Sequence, residues 1–178
     1  MAKAKCANSH KMMMNSASSL KWLWLTLIFL IVDQATKHYV ANNMDLYQSI
    51  EVLSFFNITY VHNLGAAFSF LADQSGWQRW FFAAIATIAS VIFTYWLYKT
   101  PVNNKKLCIA FALLLSGALG NLIDRVMLGY VIDFLDFTII NYRWPAFNVA
   151  DSVIFIGAGL MIIDSFAQEK PEESKSNV

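Results

Sequence analysis

Charge is scarce in this chain of 178 residues, because Asp, Glu, Lys and Arg together make up only 14% of it. A soluble domain carries about 25% charged residues, so the composition argues against a soluble globular protein. The formal net charge is +1, which leaves no positive field to attract a polyanion. We therefore expect no nucleic-acid partner.

Cysteine is rarer still, with two in the whole chain. Cys6 lies in a polar N-terminal segment and Cys108 lies inside an apolar run, so a disulfide between them is not expected. Neither cysteine stands in a spacing typical of metal ligands. The sequence therefore indicates neither a disulfide framework nor a cysteine-based metal site.

Long apolar runs dominate instead, since 57% of the residues are hydrophobic and 15% are aromatic. A membrane-spanning helix needs about 20 mostly apolar residues. Four stretches are long enough, at about 20–40, 77–98, 107–123 and 146–166. Abundant aromatic side chains suit a protein with two membrane–water interfaces. We predict an all-α polytopic membrane protein with four transmembrane helices.

The first apolar stretch has a second interpretation as a cleaved signal peptide, because lysines precede a short apolar core. No small-x-small cleavage site follows that core; from Asp33 the chain continues Asp-Gln-Ala-Thr-Lys-His. We favour a retained helix. Residues 20–167 then form a single membrane-embedded domain, and residues 1–19 and 168–178 are predicted to be disordered cytoplasmic tails.

The orientation in the membrane follows from the positions of Lys and Arg. If both termini and the 99–106 loop share one side, that side carries nine Lys and Arg residues and the other carries four. We predict that both termini are cytoplasmic and that segments 42–76 and 124–146 lie outside. Residues 46–61 are rich in β-branched and aromatic side chains, which predicts a small β-rich segment, a strand pair, on the outer side.

Polar residues near the predicted helix ends are informative, because a charge in the hydrocarbon core costs a few kcal/mol or more. Asp33 and Lys37 are four residues apart and share one face of the first helix. An ion pair that only lowers the cost of the helix end would explain them. In His62-Asn63-Leu64-Gly65, the glycine allows close approach of the backbone, and His62 alone is more typical of a surface histidine than of a catalyst.

The third stretch ends in a polar cluster. Small residues at Gly117 and Gly120 allow close contact between helices. Asn121, Asp124 and Arg125 follow at the predicted outer boundary. A structural alternative is that Asp124 and Arg125 orient a loop through a charge-assisted hydrogen bond.

Two further carboxylates, Asp133 and Asp136, are embedded in an apolar and aromatic segment. Asn148 and Asp151 follow at the start of the fourth helix. Asn148 can cap that helix, and Asp151 lies in its first turn, where the helix dipole favours negative charge. A capping role is therefore an alternative for Asp151, but it does not explain Asp133.

Carboxylates are the groups with which this cluster can do chemistry. No serine stands in a Gly-x-Ser-x-Gly context, and Lys37 already has a carboxylate partner. The outer histidines are too few for a zinc site. Two carboxylates within hydrogen-bond reach share a proton, so that one activates water while the other protonates the substrate, as in aspartic peptidases. Asp133 and Asp151 are the natural pair, because we expect the stretch of about 15 residues between Asp133 and the fourth helix to be a loop that can fold back over the start of that helix. Spacing alone leaves Asp124 or Asp136 as substitutes.

Five short motifs resemble, in order, those of the lipoprotein signal peptidase (signal peptidase II) family of proteobacteria. They are Asp-x-x-x-Lys at 33–37, Asn-x-Gly-x-Ala-Phe at 63–68, Gly-Ala-x-x-Asn-x-x-Asp-Arg at 117–125, Val-x-Asp-Phe at 131–134 and Phe-Asn-x-Ala-Asp at 147–151. Each motif is weak alone, but five in order on the predicted helix ends are specific. The resemblance covers about residues 21–167, and its chief departure is the long, Met-rich N-terminal extension.

The resemblance implies an endopeptidase that removes signal peptides from diacylglyceryl-modified prolipoproteins and cuts just before the lipidated cysteine. It implies Asp133 and Asp151 as the catalytic dyad, with neither a cofactor nor a metal. Substrate-binding or supporting roles are implied for nine further residues: Asp33, Lys37, Asn63, Gly65, Asn121, Asp124, Arg125, Asn148 and Ala150. We expect a monomer in the bacterial inner membrane, in contact with membrane lipid, with its active site near the periplasmic face.

Two other functions fit part of the pattern. A transporter or channel uses intramembrane carboxylates as proton relays, but it places them near the midplane, often in repeated halves. Here the carboxylates cluster at one face and the sequence has no internal repeat. A non-catalytic scaffold is the other alternative, and it would not need paired carboxylates.

Overall fold

The computed structural model of the protein describes residues 19–65, 76–140 and 142–168. Nearly all of the two predicted tails lies outside these ranges, as do Ala67 and Phe68 of the second motif. Within the ranges, the structure is mostly helical with a small antiparallel sheet.

Four helices make up most of the fold. After a short 3-10 turn, they are α1 (Leu23–Asn43), α2 (Trp77–Lys99), α3 (Lys105–Met127) and α4 (Val149–Gln168). Helix α3 extends further at both ends than the sequence predicts, so that Asp124 and Arg125 lie inside the helix, as Asn121 does, and not beyond it. These side chains are therefore presented from a rigid element.

Three helices of the described part of the chain are long and apolar enough to cross a membrane: Trp77–Lys99, Lys105–Met127 and Val149–Phe166. Together with this composition, they indicate an integral membrane protein. Helix α1 does not qualify by the same measure, because Asp33, Lys37 and their polar neighbours lower its mean hydropathy. The predicted count of four spans is therefore not confirmed.

The sheet has four antiparallel strands in the order β1-β2-β3-β4. They are β1 (Ser49–Leu53), β2 (Phe56–Asn63), β3 (Val131–Ile139) and β4 (Tyr142–Arg143). The strand pair predicted within residues 46–61 is present as β1 and β2. In the pairing of β2 with β3, Asn63 lies opposite Val131 and Val61 lies opposite Asp133.

The stretch between Asp133 and helix α4 was expected to be a loop, and this expectation is wrong. Asp133 lies on strand β3, and β4 follows it. The reason is tertiary: β3 is paired along both edges, and its buried residues Val131, Ile132 and Phe134 pack inward. A strand places Asp133 more rigidly than a loop would.

Helix α3 is the centre of the bundle, because it packs against α1, α2 and α4. Most of its residues are buried, whereas α2 and α4 expose large apolar side chains over much of their length. Two glycines of α3 permit the close contacts predicted for them. A Cβ atom at Gly117 would lie 2.4 Å from the carbonyl oxygen of Ala150, and one at Gly120 would lie 2.6 Å from Oδ2 of Asp33.

The sheet is joined to the helix bundle by a small apolar core. Val40 of α1 packs there with Tyr60 of β2 and with Ile132 and Phe134 of β3. All four side chains are at most 7% exposed. Since Ile132 and Phe134 flank Asp133, this core holds the carboxylate at a defined distance from the end of α1.

Candidate active site

The two candidate catalytic carboxylates come from different elements that meet at one end of the bundle. Asp133 lies on β3 and Asp151 lies in the first turn of α4. The two elements are tied together by Leu135 and Phe147, whose backbones exchange hydrogen bonds of 2.8 and 3.0 Å. Both aspartates line one cavity of about 1330 Å³.

Two amide side chains hold the carboxylate of Asp133. Asn148 donates from Nδ2 to Oδ1 at 2.7 Å, and Asn63 donates from Nδ2 to Oδ2 at 2.9 Å. Asp133 is only 2% exposed, so its two oxygens are fixed in direction. Asn63 in turn accepts a hydrogen bond from the backbone N–H of Gly65 at 3.0 Å, which shapes the chain after β2.

Asp151 is held by the N-terminus of its own helix. Its backbone N–H donates to Oδ1 of Asn148 at 2.9 Å, and the backbone N–H of Asn148 donates to Oδ2 of Asp151 at 3.3 Å. This reciprocal arrangement has the form of a capping box, so the expected cap is present. The other oxygen, Oδ1, accepts a hydrogen bond from Nδ2 of Asn121 at 2.8 Å.

Lys37 is a buried cation beside the two aspartates. Its Nζ lies 2.9 Å from Oδ2 of Asp33 and 2.9 Å from Oδ2 of Asp124, and it donates to Oδ1 of Asn121 at 3.1 Å. The three charged side chains are between 1% and 3% exposed. The expected ion pair with Asp33 is therefore present, but Lys37 also has a second anionic partner on α3.

Each anionic partner of Lys37 also holds one of the candidate catalytic segments. Asp33 accepts the backbone N–H of Ala150 at 2.8 Å, directly before Asp151. Asp124 accepts the backbone N–H of Ile132 at 3.2 Å, directly before Asp133. Lys37 therefore links, through one carboxylate on each side, the backbones that carry the two aspartates.

Arg125 lies next to Asp124 on α3, but the described contacts of the two side chains are different. Arg125 donates to the carbonyl oxygen of Gly65 at 3.1 Å and to that of Asn121 at 3.2 Å. Its own carbonyl accepts a hydrogen bond of 2.7 Å from Nε of Arg79. The idea that Arg125 orients a loop is supported by the bond to Gly65, whereas Asp124 is committed to Lys37.

Burial raises the pKa of Asp133 from its ordinary value of 3.8 to about 7, and the negative charge of Asp151 acts in the same direction. The hydrogen bonds from Asn63 and Asn148 and the charge of Lys37 oppose this rise and are weaker than burial. A carboxyl with this pKa is partly protonated at neutral pH. It can therefore donate a proton under physiological conditions.

Asp136 lies three residues after Asp133 on the same strand and has the opposite electrostatic environment. It forms an ion pair with Arg143 and accepts a hydrogen bond of 2.7 Å from Oγ1 of Thr59. The hydrogen bond from Arg143 is the main reason why the pKa of Asp136 is lowered. Asp136 is therefore an ionised, neutralised carboxylate.

The two dyad aspartates and the nine supporting residues implied by the resemblance lie in one connected group of hydrogen bonds and ion pairs. Several further residues join this group or its surroundings without having been predicted. Gln34 donates from Nε2 to Oδ1 of Asp124 at 2.9 Å and to Oδ2 of Asp33 at 3.2 Å. The sequence contained a signal for Gln34, since a glutamine within a mostly apolar helix indicates a polar partner inside the protein. Arg79 had no such signal, because its contacts with the end of α3 depend on helix packing.

His62 is half-buried at the cavity and has two aromatic neighbours. Its ring stacks on Tyr130 at 3.6 Å between centroids, and Nε2 lies 2.8 Å from the hydroxyl of Tyr60. Burial lowers the pKa of His62. Among the residues that the structure describes, no group of three or more His, Cys, Asp or Glu side chains is arranged to hold a metal ion.

Apolar helices, together with a carboxylate-rich cavity at one end of the bundle, define an integral membrane protein with a site suited to acid–base chemistry. The family described as Signal peptidase (SPase) II matches residues 25–167, and the chain belongs to that family. It is therefore a protease, and the resemblance read from the five motifs is confirmed. The match covers nearly all of the four helices and the whole sheet.

Curated relatives agree with this assignment. A protein named lipoprotein signal peptidase from Alteromonas mediterranea is 57% identical over 159 residues, which cover 88% of this chain and 87% of the relative. One of the same name from Psychromonas ingrahamii is 53% identical over 163 residues, covering 90% and 94% of the two chains.

Solved structures show the same fold. A bacterial membrane enzyme determined by the in meso method at 2.3 Å resolution superposes with a TM-score of 0.78 at 37% identity, over 89% of this chain and 94% of that one. A second, at 1.9 Å resolution, gives a TM-score of 0.73 at 39% identity, over 84% and 93% of the two chains.

Proposed function

We propose that this protein is an aspartic endopeptidase that removes signal peptides from diacylglyceryl-modified bacterial prolipoproteins and cuts just before the lipidated cysteine. Asp133 and Asp151 form the acid–base dyad that activates water. The family and the names of the relatives support the activity and the class of substrate. The contacts of the carboxylates support the choice of the dyad.

The observation that carries this choice is which of the carboxylates near the cavity are paired with a cation. Asp33 and Asp124 share Lys37, and Asp136 is paired with Arg143. The hydrogen bonds of Asp133 and Asp151 come instead from asparagine amides and backbone N–H groups. These two aspartates are therefore the candidates for exchanging protons, whereas Asp124 and Asp136 are each paired with a cation.

The pKa of about 7 suits Asp133 to be the protonated member of the pair. Asp151 takes a proton from a water molecule as the water oxygen attacks the scissile carbonyl carbon. Asp133 gives its proton to the carbonyl oxygen, so that a neutral tetrahedral intermediate forms. When the C–N bond breaks, the proton on Asp151 passes to the leaving amine and Asp133 recovers its proton from the collapsing hydroxyl.

The supporting residues act by position in this scheme. Asn63 and Asn148 aim the oxygens of Asp133, and Asn121 aims Asp151. Asp33 and Asp124 hold the backbones beside the two aspartates. Arg125 and Gly65 shape the cavity wall after β2. A geometry held by this many contacts loses little free energy to reorganisation during the reaction.

The arrangement in the membrane is also part of the proposal. We infer four spans with cytoplasmic termini, a monomeric chain in the bacterial inner membrane, and a site near the periplasmic face. The polar residues that lower the hydropathy of α1 support a fourth span: Asp33 and Lys37 are 1% and 2% exposed, so they do not face lipid. Their ion pair reduces the cost that charge imposes in the membrane.

A site at this depth meets the lipidated cysteine without extracting its acyl chains from the bilayer. The diacylglyceryl group then positions the scissile bond by tethering it, which predicts much slower cleavage of a precursor that lacks the lipid. Equal rates for lipid-free and lipidated precursors would rule out tethering. Membrane lipid is accordingly expected to contact the protein around the site.

The test measures whether the purified protein cleaves a diacylglyceryl prolipoprotein in detergent, with a gel shift as the readout. Asp133→Asn and Asp151→Asn are expected to be folded and inactive. Asp164→Asn is the matched control, because Asp164 is a buried aspartate on the same helix as Asp151 but accepts a hydrogen bond from Asn104. Activity in both dyad variants would show that these carboxylates are structural. No cleavage by a folded wild type would favour the transporter or scaffold alternative.

A further inference from the structure

The cavity that contains the dyad has two chemically different ends. One end is lined by Ile154, Phe155 and Ala158 of α4, which belong to a helix apolar enough to cross a membrane. The other end is lined by Arg143 and Trp144, beyond the helices at the sheet. Asp133 lies on the sheet and Asp151 in the first turn of α4, so a chain bound along the cavity past the dyad would run from an apolar environment to a polar one.

Arg143 is an exposed cation at the polar end, and a buried anion fixes its direction. Its side chain is 63% exposed, whereas its partner Asp136 is 1% exposed. Nε donates to both oxygens of Asp136, at 3.0 and 3.1 Å, and Nη2 donates to Oδ2. Thr59 holds the same carboxylate from the neighbouring strand. The guanidinium is therefore held on one side by the buried Asp136 and is open to the cavity and solvent on the other.

The anchoring leaves donors free. A guanidinium carries five N–H groups, and Asp136 uses one on Nε and one on Nη2. Three N–H groups of Arg143 therefore have no acceptor within residues 19–65, 76–140 and 142–168. Planar N–H groups held in a fixed direction recognise carboxylates and carbonyl oxygens with little loss of side-chain entropy.

The substrate of the proposed function has the same division into two halves, and the present inference rests on that function. The signal peptide before the scissile bond is apolar, and the diacylglyceryl group belongs in the bilayer. Both match the end of the cavity on α4. The mature polypeptide after the lipidated cysteine is the polar half, and it therefore matches the end of the cavity at the sheet.

We propose that Arg143, oriented by Asp136, forms a subsite for the residues that follow the lipidated cysteine and favours a carboxylate side chain there. A neutral residue would offer only backbone carbonyl oxygens to the same N–H groups. A lysine or arginine would place a cation against the guanidinium. The pair of Arg143 and Asp136 thus makes cleavage dependent on the charge of the mature N-terminus.

A purely structural role is the competing interpretation, because Arg143 also pairs with Thr138 in the register of β3 and β4. If the ion pair only stabilises this hairpin, its loss would lower stability and would reduce the cleavage rate of all substrates by the same factor. It would not change the ratio between substrates that differ in charge. That ratio is therefore the measurement that separates the two interpretations.

The experiment uses three diacylglyceryl prolipoproteins that are identical except for Asp, Asn or Lys at the two positions after the cysteine. The wild type is expected to show a kcat/KM about three- to tenfold higher for the Asp substrate than for the Lys substrate, as for a partly exposed charge contact. Arg143→Gln is expected to bring this ratio below about twofold. Asp136→Asn keeps the cation but loses its anchor, and should reduce the ratio in part.

The outcomes separate this inference from the proposed function. If the wild type cleaves none of the three substrates, the proposed function has failed. If it cleaves all three and Arg143→Gln leaves the ratio unchanged, the function stands and the subsite is refuted. If Arg143→Gln does not fold, Arg143→Lys keeps the charge but not the planar donors, and an unchanged ratio in that variant refutes recognition by the anchored guanidinium.

Discussion

Asp133 is a buried group outside the membrane-spanning helices, and folding clearly raises its pKa. Replacing Asp133 by Asn removes this titrating group. Its pKa is about 7 in the folded protein and 3.8 in an ordinary environment. The folded state therefore binds the proton more tightly than the unfolded state. This contribution to stability is fully present below pH 3.8, and it is lost as the pH rises through 7.

The size of the effect follows from these two values. Between pH 5 and pH 8, a shift from 3.8 to about 7 lowers the free energy of unfolding by about 2–3 kcal/mol as the pH rises. Asparagine does not titrate, so Asp133→Asn should lack this decline. The stability of the variant relative to the wild type should therefore increase by about 2–3 kcal/mol from pH 5 to pH 8. Burial lowers the pKa of His62, but both proteins contain this histidine, so its contribution cancels in the comparison.

Asp136→Asn is the matched control for stability, since Asp136 lies on the same strand and is equally buried. Arg143 lowers the pKa of Asp136. Its contribution is present above the ordinary pKa near 3.8 and is lost only as the pH falls below it. This variant should be less stable than the wild type by roughly 1–3 kcal/mol, and by a nearly constant amount between pH 5 and pH 8.

Thermal unfolding in detergent measures these differences. Cys108 is a buried free thiol, so a thiol-reactive fluorophore reports its exposure when Cys6 has been replaced by Ser in every protein. The Tm difference between Asp133→Asn and the wild type should change by several degrees from pH 5 to pH 8, at about 2–4 °C per kcal/mol. A difference that stays constant with pH would refute a raised pKa at Asp133.

Lys37→Met should abolish cleavage and lower stability by about 3–5 kcal/mol, because two buried carboxylates lose their cation. Lys37→Arg, measured in the same gel-shift and unfolding assays, shows whether a positive charge alone restores cleavage and stability. Full activity in Lys37→Met would contradict the linking role of Lys37. Gly120→Ala should lower stability by about 1–3 kcal/mol, since its Cβ would lie 2.6 Å from Asp33. Gly159→Ala, with no atom within 4 Å of the new Cβ, is the control, and equal Tm values for the two variants would contradict the close contact.

Local patterns were enough to predict several parts of this protein. Apolar runs predicted α2, α3 and α4, because a helix that crosses a membrane must be apolar over most of its length. The spacing of Asp33 and Lys37 predicted their ion pair, because residues four apart meet on one helix face. Strands β1 and β2 were predicted because β-branched and aromatic residues favour a pleated surface.

Other parts depended on contacts between distant residues. Strand β3 was expected to be a loop, because its pairing with β2 involves residues some 70 positions away. The assignment of cations to carboxylates was also open. Asp124 is adjacent to Arg125 in the sequence but bonds to Lys37, and nothing local indicated that Asp136 would pair with Arg143.

By itself, the sequence determined the membrane character, the family and most of the polar residues at the candidate site, because these follow from composition and from short motifs. Only the tertiary structure decided which carboxylates are neutralised and which remain free to exchange protons. The physical reason is that a pKa depends on burial and on charges within a few ångströms. At this site, the neighbours of Asp133 and Asp151 come from α1, α3, β2 and the start of α4.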